Sequence, residues 1–118
     1  MGCGRVFEGT RPQMWDSLQK LMALPADTVV CSGHEYTAAN AKFALTIDPD
    51  NPAVHARVAE INTKRAAGEA TVPSLLSQEL ATNPFLRAAD PVVQANLGMS
   101  GADPTAVFSE IRARKDNF

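Results

Sequence analysis

A β-branched run, Thr28-Val29-Val30-Cys31-Ser32, stands alone in a chain whose other apolar residues recur at helical spacing. A strand must place its backbone donors and acceptors on neighbouring strands, and an isolated one has nowhere to put them. What precedes it is helical. Thr10 and Gln13 form a capping-box pattern, Pro12 suits a first turn, and Met14, Leu18, Leu21 and Met22 share one face, so a helix is expected from about Pro12 to Leu24. Pro25 ends it, and Ala26-Asp27 turn the chain into the strand. A helix followed by a strand is one step of α/β architecture, in which the strand joins a sheet. No second run in the sequence qualifies as its neighbour, which predicts a mostly α chain with one helix-strand unit lacking its sheet.

Beyond Tyr36 the pattern is helical throughout. Thr37 is placed to cap a helix running to about Ile47, with Phe43, Ala44 and Ile47 on its apolar face. Asn51-Pro52, Asp90-Pro91 and Asp103-Pro104 each put a capping side chain before a proline preset for the first turn. The first step opens a helix with Val54, Val58 and Ile61 on one stripe, ending near Gly68, and the second a short helix through Val93 and Leu97. The third opens the last helix, where Val107, Phe108 and Ile111 face inward and basic residues gather in the final turn. Between them, Thr71-Val72-Pro73-Ser74 leads into a short helix over Leu75 to Leu80, and Asn83-Pro84-Phe85-Leu86 reads as a turn with apolar anchors.

With 118 residues, 45% of them hydrophobic and 20% charged, the chain has the composition of a globular protein with one core. No apolar run approaches bilayer length, so no membrane association is expected. The first residues lack the apolar core of a secretion signal, and Cys3 and Cys31 stand far apart without a CxxC pairing. Free thiols in a reducing cytoplasm are the expectation. A formal charge of −2 argues against nucleic-acid binding and makes any anion selectivity local.

His34, just past the strand's C-terminal end and beside Glu35, is positioned as a metal ligand held by a sheet. The His-Glu-Tyr-Thr-Ala order fails the HExxH zincin pattern, because Ala38 occupies the second histidine's place. His55, on the amphipathic helix beside Val54, reads as a surface or boundary histidine. Tyr36 has two readings, an aromatic at a helix start or a hydroxyl reaching substrate. Arg112 and Lys115, three apart on the last helix, either point at one carboxylate-bearing ligand or complement the helix dipole. Cys3 has no base near it in sequence and reads as an inert thiol.

Taken in order, Gly2-Cys3-Gly4-Arg5-Val6-Phe7-Glu8-Gly9-Thr10, Gly33-His34-Glu35-Tyr36-Thr37, Asp50-Asn51-Pro52, Thr71-Val72-Pro73-Ser74, Asn83-Pro84-Phe85-Leu86-Arg87 and Lys115-Asp116-Asn117-Phe118 form a pattern. It resembles glyoxalase II, the hydroxyacylglutathione hydrolase family, over essentially the whole chain and roughly the second half of that enzyme. The resemblance implies that residues 1-36 are the last helix-strand unit of a metallo-β-lactamase-type αββα domain and residues 37-118 the all-helical substrate-binding domain. It implies that His34 is the last protein ligand of a binuclear metal centre of zinc, iron or manganese. There, a metal-held hydroxide attacks the thioester of S-D-lactoylglutathione, releasing D-lactate and glutathione. It places Arg5, Tyr36, Arg112 and Lys115 on the glutathione part of the substrate. Two positions depart from the common family pattern: Arg5 stands where lysine is frequent, and Phe7, where tyrosine is frequent, offers no hydroxyl. The family's HxHxDH motif, a further histidine ligand and the bridging aspartate lie upstream of the Gly2-Cys3-Gly4 segment and have no counterpart here. The polypeptide alone is therefore expected to be inactive, its partner being the metal-binding half. The rivals are a non-catalytic helical module binding glutathione or a protein partner, and one half of a split enzyme whose chains meet at the strand's exposed edge.

Overall fold

The computed structural model describes all 118 residues. Six α-helices dominate: α1 (Arg11–Met22), α2 (Thr37–Ile47), α3 (Pro52–Ala66), α4 (Leu76–Thr82), α5 (Pro91–Asn96) and α6 (Pro104–Asp116), with a 3₁₀ turn at Pro84–Leu86. The caps explain most boundaries. The Thr10 and Gln13 side chains close a capping box on α1, and Asn51, Asp90 and Asp103 each accept a backbone N–H in the first turn of their helices, each ahead of a proline at its start. At α2 the expected cap is displaced: Tyr36 takes that position without a side-chain bond, and Thr37 is buried within the first turn.

The strand is not an orphan. β1 (Val29–Val30) pairs antiparallel with β2 (Ser74–Leu75), in the register Val29 to Leu75 and Val30 to Ser74. The Leu76 and Ser77 amides extend the contact by donating to the Thr28 and Ala26 carbonyls, both at 2.8 Å. The regular strand is also shorter than the five residues expected. A two-residue partner following Pro73 and running directly into α4 has no alternation to betray it, which is why the sequence shows no second strand.

One core of twelve residues joins the elements: Trp15 and Leu18 from α1 meet Phe43 and Ile47 of α2, Phe85 and Leu86 of the 3₁₀ turn, and Val107, Phe108 and Ile111 of α6, among others. Trp15 stacks on Phe108 with ring centroids 5.6 Å apart, and Phe43 on Phe85 at 5.8 Å. Each phenylalanine buried here contributes roughly 2–3 kcal/mol of apolar transfer. A smaller cluster of Met1, Ala41, Ala44, Val54 and Ile61 seals α2 against α3.

A buried polar knot ties these layers to the chain's first residue. Glu79 accepts from Arg57 Nη2 at 3.1 Å, Ser74 Oγ at 2.8 Å and Asn83 Nδ2 at 3.0 Å, and lies 3.2 Å from the Met1 nitrogen. Burial opposes its ionisation, but the Met1 ammonium, Ser74, Arg57 and Asn83 more than offset this and hold the carboxyl below its ordinary range. Arg57 Nη1, buried in the same place, has no acceptor.

Candidate functional site

The residues Met1 to Gly4 form a strap held by its carbonyls. Asn40 Nδ2 of α2 donates to Met1 O at 3.1 Å, Asn83 Nδ2 to Gly2 O at 2.9 Å, and Arg112 Nη1 of α6 to Gly4 O at 2.9 Å. Gly2 lies at φ 123°, and a Cβ there would fall 2.6 Å from Asn40 Nδ2, so no other residue fits without displacing that amide.

The strap delivers Arg5 into solvent near the last turn of α6. There Lys115 feels both guanidinium groups, and burial, then Arg112, then Arg5 push its ammonium pKa below the usual lysine value. Lys115 Nζ sits 5.5 Å from the Phe43 ring centroid and 4.8 Å from that of Phe118, an aromatic floor that holds a cation over π faces. Arg5, Arg112 and Lys115 therefore belong to one cationic rim.

Their exposures differ, however. Arg5 is exposed and Lys115 half-buried, whereas Arg112 is only 4% exposed. Its guanidinium lies 4.9 Å from the Phe85 ring centroid, its Nη2 is 2.8 Å from Asp116 Oδ1, its Nε donates to the same oxygen at 3.1 Å, and Nη1 serves the strap. Neither sequence reading anticipated an arginine with so many donors already engaged. Phe7, 85% exposed, has no part in this packing. Cys3 sits under the strap, its Sγ 3.7 Å from Arg112 Nη1, and burial pushes its thiol up to about 11 despite the nearby guanidinium.

His34 and Tyr36 lie on the exposed loop joining β1 to α2, their rings stacked 5.1 Å apart and 6° from parallel. No hydrogen bond, ion pair or ring contact joins them to the cationic rim. Between them Glu35 turns inward: Thr71 N donates to its Oε2 at 2.9 Å and the Thr71 hydroxyl to its Oε1. Those two bonds, against a burial cost, hold the Glu35 carboxyl below its ordinary range. Sequence reasoning gave Glu35 no role, because its partner lies 36 residues away. His55 is exposed, in line with its reading as a surface or boundary histidine, and hydrogen-bonded to the Pro49 carbonyl.

The residues present do not fit a binuclear metal centre: nowhere do three His, Cys, Asp or Glu side chains converge. A cavity lies elsewhere, a groove of about 280 Å³ between α1 and β1, walled by Leu18, Leu21, Leu24, Val29, Val30 and Leu76, with Glu79 and Asn83 among its polar residues.

The architecture is thus a helical domain that clamps a glycine-rich strap and presents cations at its rim, the class of module suited to receiving an anionic ligand. The chain belongs to the family described as hydroxyacylglutathione hydrolase C-terminus, whose model matches residues 35–118. It is similar to the proteins named hydroxyacylglutathione hydrolase of Ruegeria pomeroyi, 69% identical, and of Roseobacter denitrificans and Jannaschia sp., each 64% identical. In all three the match covers 100% of this chain and 46% of the relative, so the chain spans less than half the length of these curated relatives.

Proposed function

We propose that this chain is the glutathione-binding portion of a hydroxyacylglutathione hydrolase, a thioesterase acting on S-D-lactoylglutathione. The observation that carries the reading is the gathering of Arg5, Arg112 and Lys115 about the end of α6, where Arg112 Nη1 holds the Gly4 carbonyl, next to Arg5, at 2.9 Å and Lys115 follows three residues after Arg112 on the same helix. Glutathione bears two carboxylates, and a rim of cations on an aromatic floor captures and orients such a ligand. Arg5 and Lys115 are its accessible charges, Arg112 braces the strap beside Arg5 while adding its own charge, and Tyr36 supplies a hydroxyl from the loop joining β1 to α2. The domain division at Tyr36 fits this reading, with residues 37-118 as the substrate-binding domain and residues 1-36 as part of a metallo-β-lactamase-type domain.

His34 is the side chain offered towards the family's metal pair, of zinc, iron or manganese, and the remaining ligands belong to the polypeptide that the relatives carry beyond the matched share. The apolar groove between α1 and β1 is where that polypeptide packs, as the partner of this chain. Exposed Leu21, Leu24 and Val29 on its walls support this. No helix is long and apolar enough to cross a membrane, and the free thiols Cys3 and Cys31 suit a cytoplasmic protein.

Calorimetric titration with glutathione tests the binding, and a thioesterase assay with S-D-lactoylglutathione tests the chemistry. The 118-residue chain is expected to bind glutathione, and Lys115→Ala or Arg5→Ala to weaken binding about fivefold each, as expected for an exposed ion pair of about 1 kcal/mol. Alone it is expected to show no turnover. Activity returning on addition of the separately produced preceding half of the Ruegeria pomeroyi relative supports the assignment; stable association without activity favours a binding module. Family-like turnover by the chain alone overturns the proposal.

A further inference from the structure

The loop carrying His34 and Tyr36 has little hydrogen bonding of its own. From Ser32 to Tyr36 its backbone takes part in one bond, the Asn40 amide donating to the Tyr36 carbonyl at 3.0 Å, which belongs to the first turn of α2. The stacked rings of His34 and Tyr36 have no other hydrogen-bonded support from the domain body, and a ring pair in solvent does not fix a backbone. Yet the residue between them reaches the body. Glu35 receives the amide and the hydroxyl of Thr71, and Arg65 Nη1 lies 3.9 Å from its Oε2. Thr71 is itself buried and lies three residues before Ser74, the start of the strand that pairs with β1. The loop leaves β1 and returns, through Glu35, to the stretch that leads into β1's own partner. That closes a small circuit with the two rings on its outer side.

We infer that Glu35 is a positioning residue, whose two-oxygen grip on Thr71 fixes the loop so that Tyr36, with His34 stacked on it, is presented to the glutathione ligand. The inference rests on the reading of Tyr36 as a ligand contact. A carboxylate suits the task because both its oxygens accept, matching the two donors of one threonine. Glutamine keeps one acceptor for the Thr71 amide, and its NH2 can donate to the Thr71 hydroxyl turned as acceptor, so it preserves the geometry of the grip but loses the charge that strengthens both bonds.

The test uses the 118-residue chain and its Glu35→Ala, Glu35→Gln and Thr71→Val variants, followed by the nuclear Overhauser contact between the two rings, hydrogen exchange at the Thr71 amide, and glutathione affinity. Glu35→Ala is expected to abolish the ring contact, speed Thr71 exchange more than tenfold and weaken binding about fivefold, with a somewhat lowered thermal midpoint and an unchanged helical circular dichroism spectrum. Thr71→Val, which keeps the amide donor and loses the hydroxyl, should reproduce part of the loss of ring contact and affinity. The double variant should be no worse than Glu35→Ala alone, the mark of a shared interaction. Glu35→Gln should recover part of the affinity, and in a Tyr36→Ala background Glu35→Ala should cost no further affinity. Ring contact and affinity that survive Glu35→Ala overturn the inference, as does an undiminished loss in the Tyr36→Ala background, which would make Glu35 a direct contact. If the parent chain binds no glutathione, the functional reading fails by itself, and the ring contact and exchange still decide whether Glu35 holds the loop.

Discussion

The helical body and the α1–β1 unit are built from similar apolar material and use it differently. In the body, α2, α3, α5 and α6 turn their apolar stripes inward until Val54, Val93, Val107, Phe108 and Ile111 lose all contact with solvent. In α1 only part of the apolar surface is used this way: Trp15 and Leu18 enter the shared core, while Leu21 and, just past the helix, Leu24 stay exposed over the groove facing β1. A helix normally exposes polar residues on its far side, so α1 is apolar on a face that this fold leaves uncovered. The contrast separates apolar residues that stabilise this domain from apolar residues that this fold leaves uncovered.

Phe108→Ala should break the body, lowering the free energy of unfolding in urea by about 3–5 kcal/mol. The two cysteines sharpen the comparison next. With its thiol raised from 9.0 to about 11, Cys3 should alkylate about a hundredfold more slowly in the native protein than in urea, whereas exposed Cys31 reacts freely. The same shift means that the native state holds this proton more tightly, so the stability it lends is present below about pH 9 and is lost as pH rises towards 11. Asp90 has the opposite sign. Burial opposes its charge, but Arg87 and the Val92 and Val93 amides hold its carboxyl below the ordinary range. The stability it contributes at neutral pH should fade as pH falls through that range, and Asp90→Asn should flatten this acid limb in denaturation midpoints measured at successive pH values. The smallest effect belongs to the uncovered face: Leu24→Ser should change stability by no more than about 0.5 kcal/mol. A large loss there would mean that α1 and the body form one cooperative face, and the comparison would collapse.

Local chemistry was legible in the sequence. Asn51, Asp90 and Asp103 cap where their Asx-Pro steps place them, α2 ends at Ile47 as expected although its cap is Tyr36 and not Thr37, and Val54, Val93, Val107 and Ile111 are buried as their spacing requires. Pairings across long separations were not. Ser74-Leu75 is too short to show strand alternation, and Glu35 meets Thr71 only because β1 and β2 pair. Arg112 illustrates a third kind of loss. Its place in the final turn was visible, but the fold turns its guanidinium onto Phe85 and Gly4 O, contacts that no helical spacing encodes. The cationic rim was legible as residue types, and its division into accessible and braced charges was not.

The strap from Met1 to Gly4 carries a mechanical consequence. Its carbonyls are gripped by Asn40, Asn83 and Arg112, which belong to three separate parts of the helical body. Tension applied along the chain at this point loads those bonds side by side instead of unzipping them one after another. A pull on the strap is thereby shared among α2, the 3₁₀ turn and α6 and reaches the end of α6 that carries the rim.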